Sequence, residues 1–182
     1  MTKKNLFASY SFLILGSTAI AYFLLKKKYN SAPLAVVSHV DVYKYMGKWF
    51  DIAHLPAVFL NNCFNNQAVY SLESNGKLKI VNSCTKNSVH GVWDHVEGIG
   101  KITDPTNAKI NVEFQWPFKG KYWILEVGKN YDYALVGEPS RQYLWILSRT
   151  PNLDEAIMKN LIDKANYEGF STNNLIMTKH LL

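Results

Sequence analysis

The stretch YMGKWFDIAHLP, residues Tyr45 to Pro56, decides how the rest of the chain is read. A tryptophan two residues beyond a glycine puts a large ring where the backbone is free to come close to a neighbour. The apolar/polar alternation of a strand starts at once, so Trp49 is placed to plug something.

Downstream the chain continues as short alternating runs separated by turns. QAVYSLE (67–73) and KLKIVNSC (77–84) flank Ser74-Asn75-Gly76, a hairpin signal. In the second run Leu78, Ile80 and Asn82 share one face, and Lys77, Lys79 and Val81 the other. KINVEFQW (109–116) sets Ile110, Val112, Phe114 and Trp116 against Lys109, Asn111, Glu113 and Gln115, which describes a strand with one wet face. YWILEV (122–127), DYALVG (132–137) and YLWILS (143–148) follow, broken at Gly128-Lys129-Asn130 and at Glu138 to Arg141. Turns at this spacing define an antiparallel meander, folded as a sandwich or a barrel. The period then changes. From Asn152 to Glu168 the apolar residues Leu153, Ile157, Leu161, Ile162 and Ala165 form one helical stripe, with Asn152 and Glu155 spaced as a capping box and Gly169 as the stop. This predicts one amphipathic helix packed outside the sheet, followed by a short closing strand over Asn174 to Lys179.

The formal charge of +6 sits almost wholly at the N-terminus. Without Lys3, Lys4, Lys26, Lys27 and Lys28 there remain 15 basic against 14 acidic residues, so the folded part lacks the basic cluster that nucleic acid requires. Between those lysines Leu6 to Leu25 is uncharged and long enough to insert in a membrane. Ala19-Ile20-Ala21 suits a cleaved signal, whereas the apolar continuation to Leu25 suits a retained anchor; both remain open. Residues 1–30 are thus expected to be a signal or a hydrophobic helical anchor, 31–38 a linker and 39–182 the domain, placed outside the cytoplasm. Two cysteines, Cys63 and Cys84, fit one disulfide in an exported chain or two buried thiols.

Catalytic signatures are missing. The five histidines are dispersed, and His90 with His95 lacks the spacing of a metal pair, so neither metal nor cofactor is expected. Gly98-Ile99-Gly100 is half a dinucleotide fingerprint and reads as a strand kink. Asp51 and His54 are the one ionisable pair near the first strand, and a spacing of three puts them on opposite faces. Aromatic residues are abundant instead, with 5 Trp, 11 Tyr and 9 Phe, and several fall on the same-parity faces of different strands.

Here the motifs become specific. Tyr45, Gly47 and Trp49 resemble the Y-x-G-x-W opening of the lipocalins, and WFDIAHLP is similar to that family's W-Y-E-I-A-x-x-P. NYDYALV (130–136) resembles the second lipocalin motif and YLWILSRTP (143–151) the third, with Arg149 in its arginine position. The bacterial group that includes outer-membrane lipoproteins, akin to apolipoprotein D, is the nearest in kind. The resemblance implies an all-β fold, an eight-stranded antiparallel up-and-down barrel with one C-terminal helix outside. It also implies a small apolar ligand such as a fatty acid or lysophospholipid and no chemistry. Gly47, Trp49 and Arg149 would be structural, with the guanidinium over the indole at the closed end. Ala68, Tyr70, Leu72, Leu78, Ile80, Asn82, Val112, Phe114, Trp116, Trp145 and Leu147 would line the pocket, and Cys63 and Cys84 sit where many bacterial members carry a cysteine pair. Phe50 and Asp51 depart from the family's Tyr and Glu, and no cysteine for lipid attachment follows the apolar run. The expected setting is the cell envelope, on the periplasmic face or the outer membrane, as a monomer or weak homodimer. A lipid-modifying enzyme and a tethered barrel without ligand are the alternatives.

Overall fold

The structure is a computed structural model that describes residues 33–114 and 119–181. The hydrophobic helix expected over Leu6 to Leu25 lies outside those residues, as does Trp116. Among the described residues no helix is long and apolar enough to cross a membrane.

A short helix α1 (Val42–Tyr45) leads into β1 (Gly47–His54), followed by β2 (Cys63–Leu72), β3 (Leu78–Lys86), β4 (Trp93–Ile102) and β5 (Lys109–Glu113). Then come β6 (Lys119–Val127), β7 (Tyr133–Gly137), β8 (Leu144–Ser148), helix α2 (Glu155–Tyr167) and the two-residue β9 (Ile176–Met177). Strands β2 to β8 pair in sequence order, and β1 pairs with both β8 and β2. That double pairing closes the meander into an eight-stranded up-and-down barrel and removes the sandwich alternative.

Closure is achieved within β1. Its first half, Gly47 to Phe50, lies against Tyr70 to Gln67 of β2, and its second half, Phe50 to His54, against Ser148 to Trp145 of β8. Where β1 and β2 part, the C-terminal segment fills the gap: β9 pairs with Ala53 and His54, and the Asn65 amide donates to the Lys179 carbonyl at 2.9 Å. In β1 the ladder slips between Asp51 and Ala53, because an extra residue faces the β8 strand there. A slip of one residue changes which side chains share a face.

The barrel supports two cores. Inside it Trp49, Tyr70, Ile80, Ile110, Ile124 and Val136 are buried together; outside, Ile52, Leu125, Leu135, Ile146 and Phe170 pack against Leu161 and Ala165 of α2. The capping box expected from Asn152 and Glu155 is not the one used. Helix α2 starts at Glu155, and the Asp154 carboxylate caps it by accepting from the Ala156 and Ile157 amides at 2.9 and 3.1 Å. Gly169, at φ +89°, ends it as expected, since the left-handed region costs a glycine little. Residues 34–40, assigned by composition largely to a linker, dock on the domain: Leu34 is buried beside α2 and Val40 inside the barrel floor.

Gly98 and Gly100 do not kink β4, whose pairing with β3 runs unbroken from Leu78↔Gly100 to Thr85↔Trp93. They clear space instead. A Cβ on Gly98 would lie 2.6 Å from the Phe114 ring, and one on Gly100 3.1 Å from Ile110. A disulfide joins Cys63 on β2 to Cys84 on β3.

Candidate ligand-binding site

The inner face has three levels, and the lowest is a plug. Trp49 is completely buried, and its indole N–H donates to the Tyr45 carbonyl at 2.9 Å. The Arg149 guanidinium lies 3.7 Å from its ring centroid. Arg149 also donates to the carbonyls of Lys48 (2.7 Å), Lys44 (2.8 Å), Met46 (2.8 Å), Tyr45 (3.2 Å) and Tyr131 (3.1 Å). These include carbonyls at the end of α1, so one planar cation serves a helix terminus and a ring at once. Gly47, at φ +94°, brings the chain past that guanidinium. Burial lowers the Arg149 pKa, and the nearby tyrosine phenols counter that.

Packed against the plug at the same closed end are three tyrosines, the Tyr45 ring centroid lying 5.0 Å from that of Trp49. The Tyr45 and Tyr122 hydroxyls are 2.7 Å apart, the Tyr45 ring stacks on Tyr70 at 5.9 Å, and Tyr70 meets Tyr122 edge-on at 5.8 Å. Burial pushes the phenols of Tyr45 and Tyr122 well above their usual range and that of Tyr70 up to about 12. The hollow among Tyr45, Tyr70, Ile80, Val112 and Tyr122 amounts to about 10 Å³, room for about one water. A larger hollow of about 420 Å³ lies outside the barrel, between Ile52, Leu153, Met158, Ile162 and Met177.

The middle level is polar. Asp51 faces Leu147 and His54 faces Trp145 across the β1/β8 ladder, both inward, because the extra residue between them restores one face to positions three apart. The His54 Nδ1 is 2.8 Å from Asp51 Oδ2, which also accepts from the Asn66 amide at 3.3 Å. The opposite-face placement read from spacing is therefore overturned by the bulge. Asp51, His54 and Asn66 are all buried.

At the upper level inward-facing side chains regain exposure. Val96, opposite Asn82, is 42% exposed, and Asn82, Phe114 and Trp145 are half-buried. A ring series runs from Phe59 in the β1–β2 loop through Tyr143 to Trp145, with centroids 5.8 and 6.1 Å apart. The same end exposes Val58, Val92 and Trp93.

Of the residues singled out from sequence, Ala68, Tyr70, Leu78, Ile80, Val112 and Leu147 are buried in the interior core, with Leu72, Phe114 and Trp145 packed against it. Leu72 pairs with Leu78 at the closed end, far from the mouth. Two interior residues are absent from that set: Tyr122, which pairs with Ile110 and shares parity with Ile124, and Asn66, which shares parity with Ala68 and Tyr70 but is polar and stands at the slip of β2 between Phe64 and Gln67. Asn65, at φ +52°, makes that slip, a conformation asparagine tolerates better than most.

A closed barrel plugged at one end and accessible at the other defines a calyx-type protein. The chain belongs to the lipocalin family: residues 40–180 match the family described as a lipocalin-like domain. It is 36% identical over 155 residues to temperature-induced lipocalin-1 of Arabidopsis thaliana, covering 80% of this chain and 82% of that one. It is 34% identical over 168 residues to outer membrane lipoprotein Blc of Escherichia coli K12, covering 90% and 94%. Mouse apolipoprotein D is 32% identical over 156 residues, covering 79% and 78%. Insecticyanin from the tobacco hornworm Manduca sexta has the same fold, with a TM-score of 0.68 at 21% identity over 82% of this chain and 86% of that one. Lipocalins typically bind small hydrophobic ligands and are generally binding proteins, not enzymes.

Proposed function

We infer that this chain binds, stores or carries a fatty acid or lysophospholipid in the cell envelope. The observation that carries the reading is the exposure gradient along the inner wall: closed around Trp49, open around Val96, Phe114 and Trp145. Apolar wall that is inward yet accessible is surface a hydrocarbon chain can cover, at roughly 0.8 kcal/mol per methylene. The pocket in this reading is lined by Asn82, Phe114 and Trp145 and ends on the packed level of Ala68, Tyr70 and Ile80, while Trp116, also expected there, lies outside the described residues; Gly47, Trp49 and Arg149 hold the floor. Similarity to a protein named as an outer membrane lipoprotein supports the envelope setting, with the Leu6 to Leu25 segment as anchor or signal. Intact mass of the exported protein distinguishes those two.

Tryptophan fluorescence titrated with palmitic acid and with a lysophospholipid tests the ligand. A saturable change, diminished in Trp145→Phe, is expected; a flat titration with both lipids sinks the reading. A lipid-modifying enzyme is the second reading, and the Asp51–His54 contact is the observation in its favour. Conversion of an added lipid, seen by mass spectrometry and lost in His54→Gln, would establish it.

A further inference from the structure

Midway up the cup, two buried acceptors receive nothing from the protein. Asp51 Oδ1 and Asn66 Oδ1 have no hydrogen-bond partner, although Asp51 is 6% and Asn66 4% exposed. Their other polar atoms are engaged: Asp51 Oδ2 by His54 and Asn66, the Asp51 carbonyl by the His180 imidazole at 2.9 Å, and His54 Nδ1 also faces the Thr178 hydroxyl at 3.4 Å. An acceptor left bare in a buried site costs about 1–3 kcal/mol, and more when charged, so such atoms usually have a partner outside the chain.

The cluster lies on the inner face, between the plugged floor and the accessible wall. Asp51 lies one inward position above Trp49 on β1, and Asn66 one inward position beyond Ala68 on β2. His54 faces the half-buried Trp145 across the ladder. The titratable groups around it are His54 on the same strand, His180 from the C-terminal segment and Tyr70 on β2, whose phenol the Asp51 charge helps to raise after burial. Below, the tyrosine level leaves about 10 Å³, so a ligand stops at this depth.

The geometry points to Asp51 and Asn66 as a subsite for a hydrogen-bond donor, a hydroxyl or an ammonium group, on the amphiphile that the cup takes in. The inference rests on the cup reading and narrows it. Both free atoms are acceptors, so a carboxylate or phosphate has nothing to offer them, whereas the glycerol hydroxyl of a lysophospholipid or a long-chain amine does. A site built to pair with a donor rejects the analogue lacking it more strongly than an apolar wall distinguishes chain lengths.

Affinities of the full chain for palmitic acid, 1-monopalmitoylglycerol and hexadecylamine, taken at neutral pH by competition against a fluorescent fatty-chain probe, test this. At least one donor-bearing ligand is expected to bind about tenfold or more tighter than palmitate, and the tighter of the two identifies the donor. In Asp51→Asn and in Asn66→Leu, each checked for an intact thermal transition, the preference should fall below about threefold. Palmitate binding as tightly as both others, or a preference that survives in whichever variants fold, overturns the subsite and leaves the cup reading standing. If none of the ligands binds, the cup reading itself fails and the subsite with it.

Discussion

The Arg149 guanidinium covers the Trp49 ring at 3.7 Å and also donates to four carbonyls between Lys44 and Lys48. The third family motif, at the end of β8, thereby fastens the first, at the start of β1, and the floor of the cup is held by a contact between residues 100 positions apart in the chain.

Lysine at position 149 keeps the charge and loses the fork. Its ammonium cannot serve those carbonyls and lie flat on an indole. Arg149→Lys should lower stability by about 2–3 kcal/mol, given the size of charge-assisted hydrogen bonds and a cation–π contact. Urea unfolding measures it, and a loss below about 0.5 kcal/mol would show that the floor does not depend on the fork.

Stability should fall in alkali. Folding raises the Tyr70 pKa from 10.0 to about 12 and those of Tyr45 and Tyr122 still more clearly, burial being the main cause in each. Between those values the unfolded chain releases phenolic protons that the folded one retains, so the contribution is complete below pH 10 and is lost as pH rises towards 12. For Tyr70 alone this is about 2–3 kcal/mol. Tyrosinate absorbance of the folded protein should show these three phenols still protonated above pH 10. Ionisation of every tyrosine in one step near pH 10 would contradict the packing.

Gly98→Ala forces a Cβ to within 2.6 Å of the Phe114 ring and 2.9 Å of the Glu113 carbonyl. The ring must swing away, at a cost of about 1–3 kcal/mol, and ligand affinity should drop because Phe114 belongs to the accessible wall. Wild-type stability together with wild-type affinity would show that Phe114 has another place to go.

The helix cap separates two candidates. Asp154→Ala should cost about 1 kcal/mol, since its carboxylate accepts from two amides of the first turn. Asn152→Ala should change thermal stability by less than about 0.5 kcal/mol. The reverse order would restore the capping box read from spacing.

Reduction of the Cys63–Cys84 disulfide, which spans 21 residues, should destabilise the domain by about 3 kcal/mol in the chain-entropy account. Unfolding curves with and without reductant give the value, and coincident curves would mean that the ladder between β2 and β3 holds the hairpin without it.

Much of the barrel was legible because its strands obey a period of two. Leu78, Ile80, Ile110, Val112, Trp145 and Leu147 alternate with polar neighbours or with residues that pack on α2, and each lies on the inner face. The helix stripe was legible for the same reason at a period of 3.6, while its start was not. Asp154 and Asn152 are both good caps, and only the path of the chain after β8 chooses between them.

The sequence by itself determined alternation, turn positions, the late helix and the presence of Trp49 and Arg149 within motifs, because these depend on near neighbours and on composition. Tertiary structure decided that the meander closes on itself, that Arg149 reaches carbonyls in a helix far back in the chain, and that Asp51 and His54 share a face. The last follows from one extra residue in β1, opposite β8. A bulge shifts every later side chain to the other side of the sheet, and it is set by how two distant strands meet, which spacing along one of them does not encode.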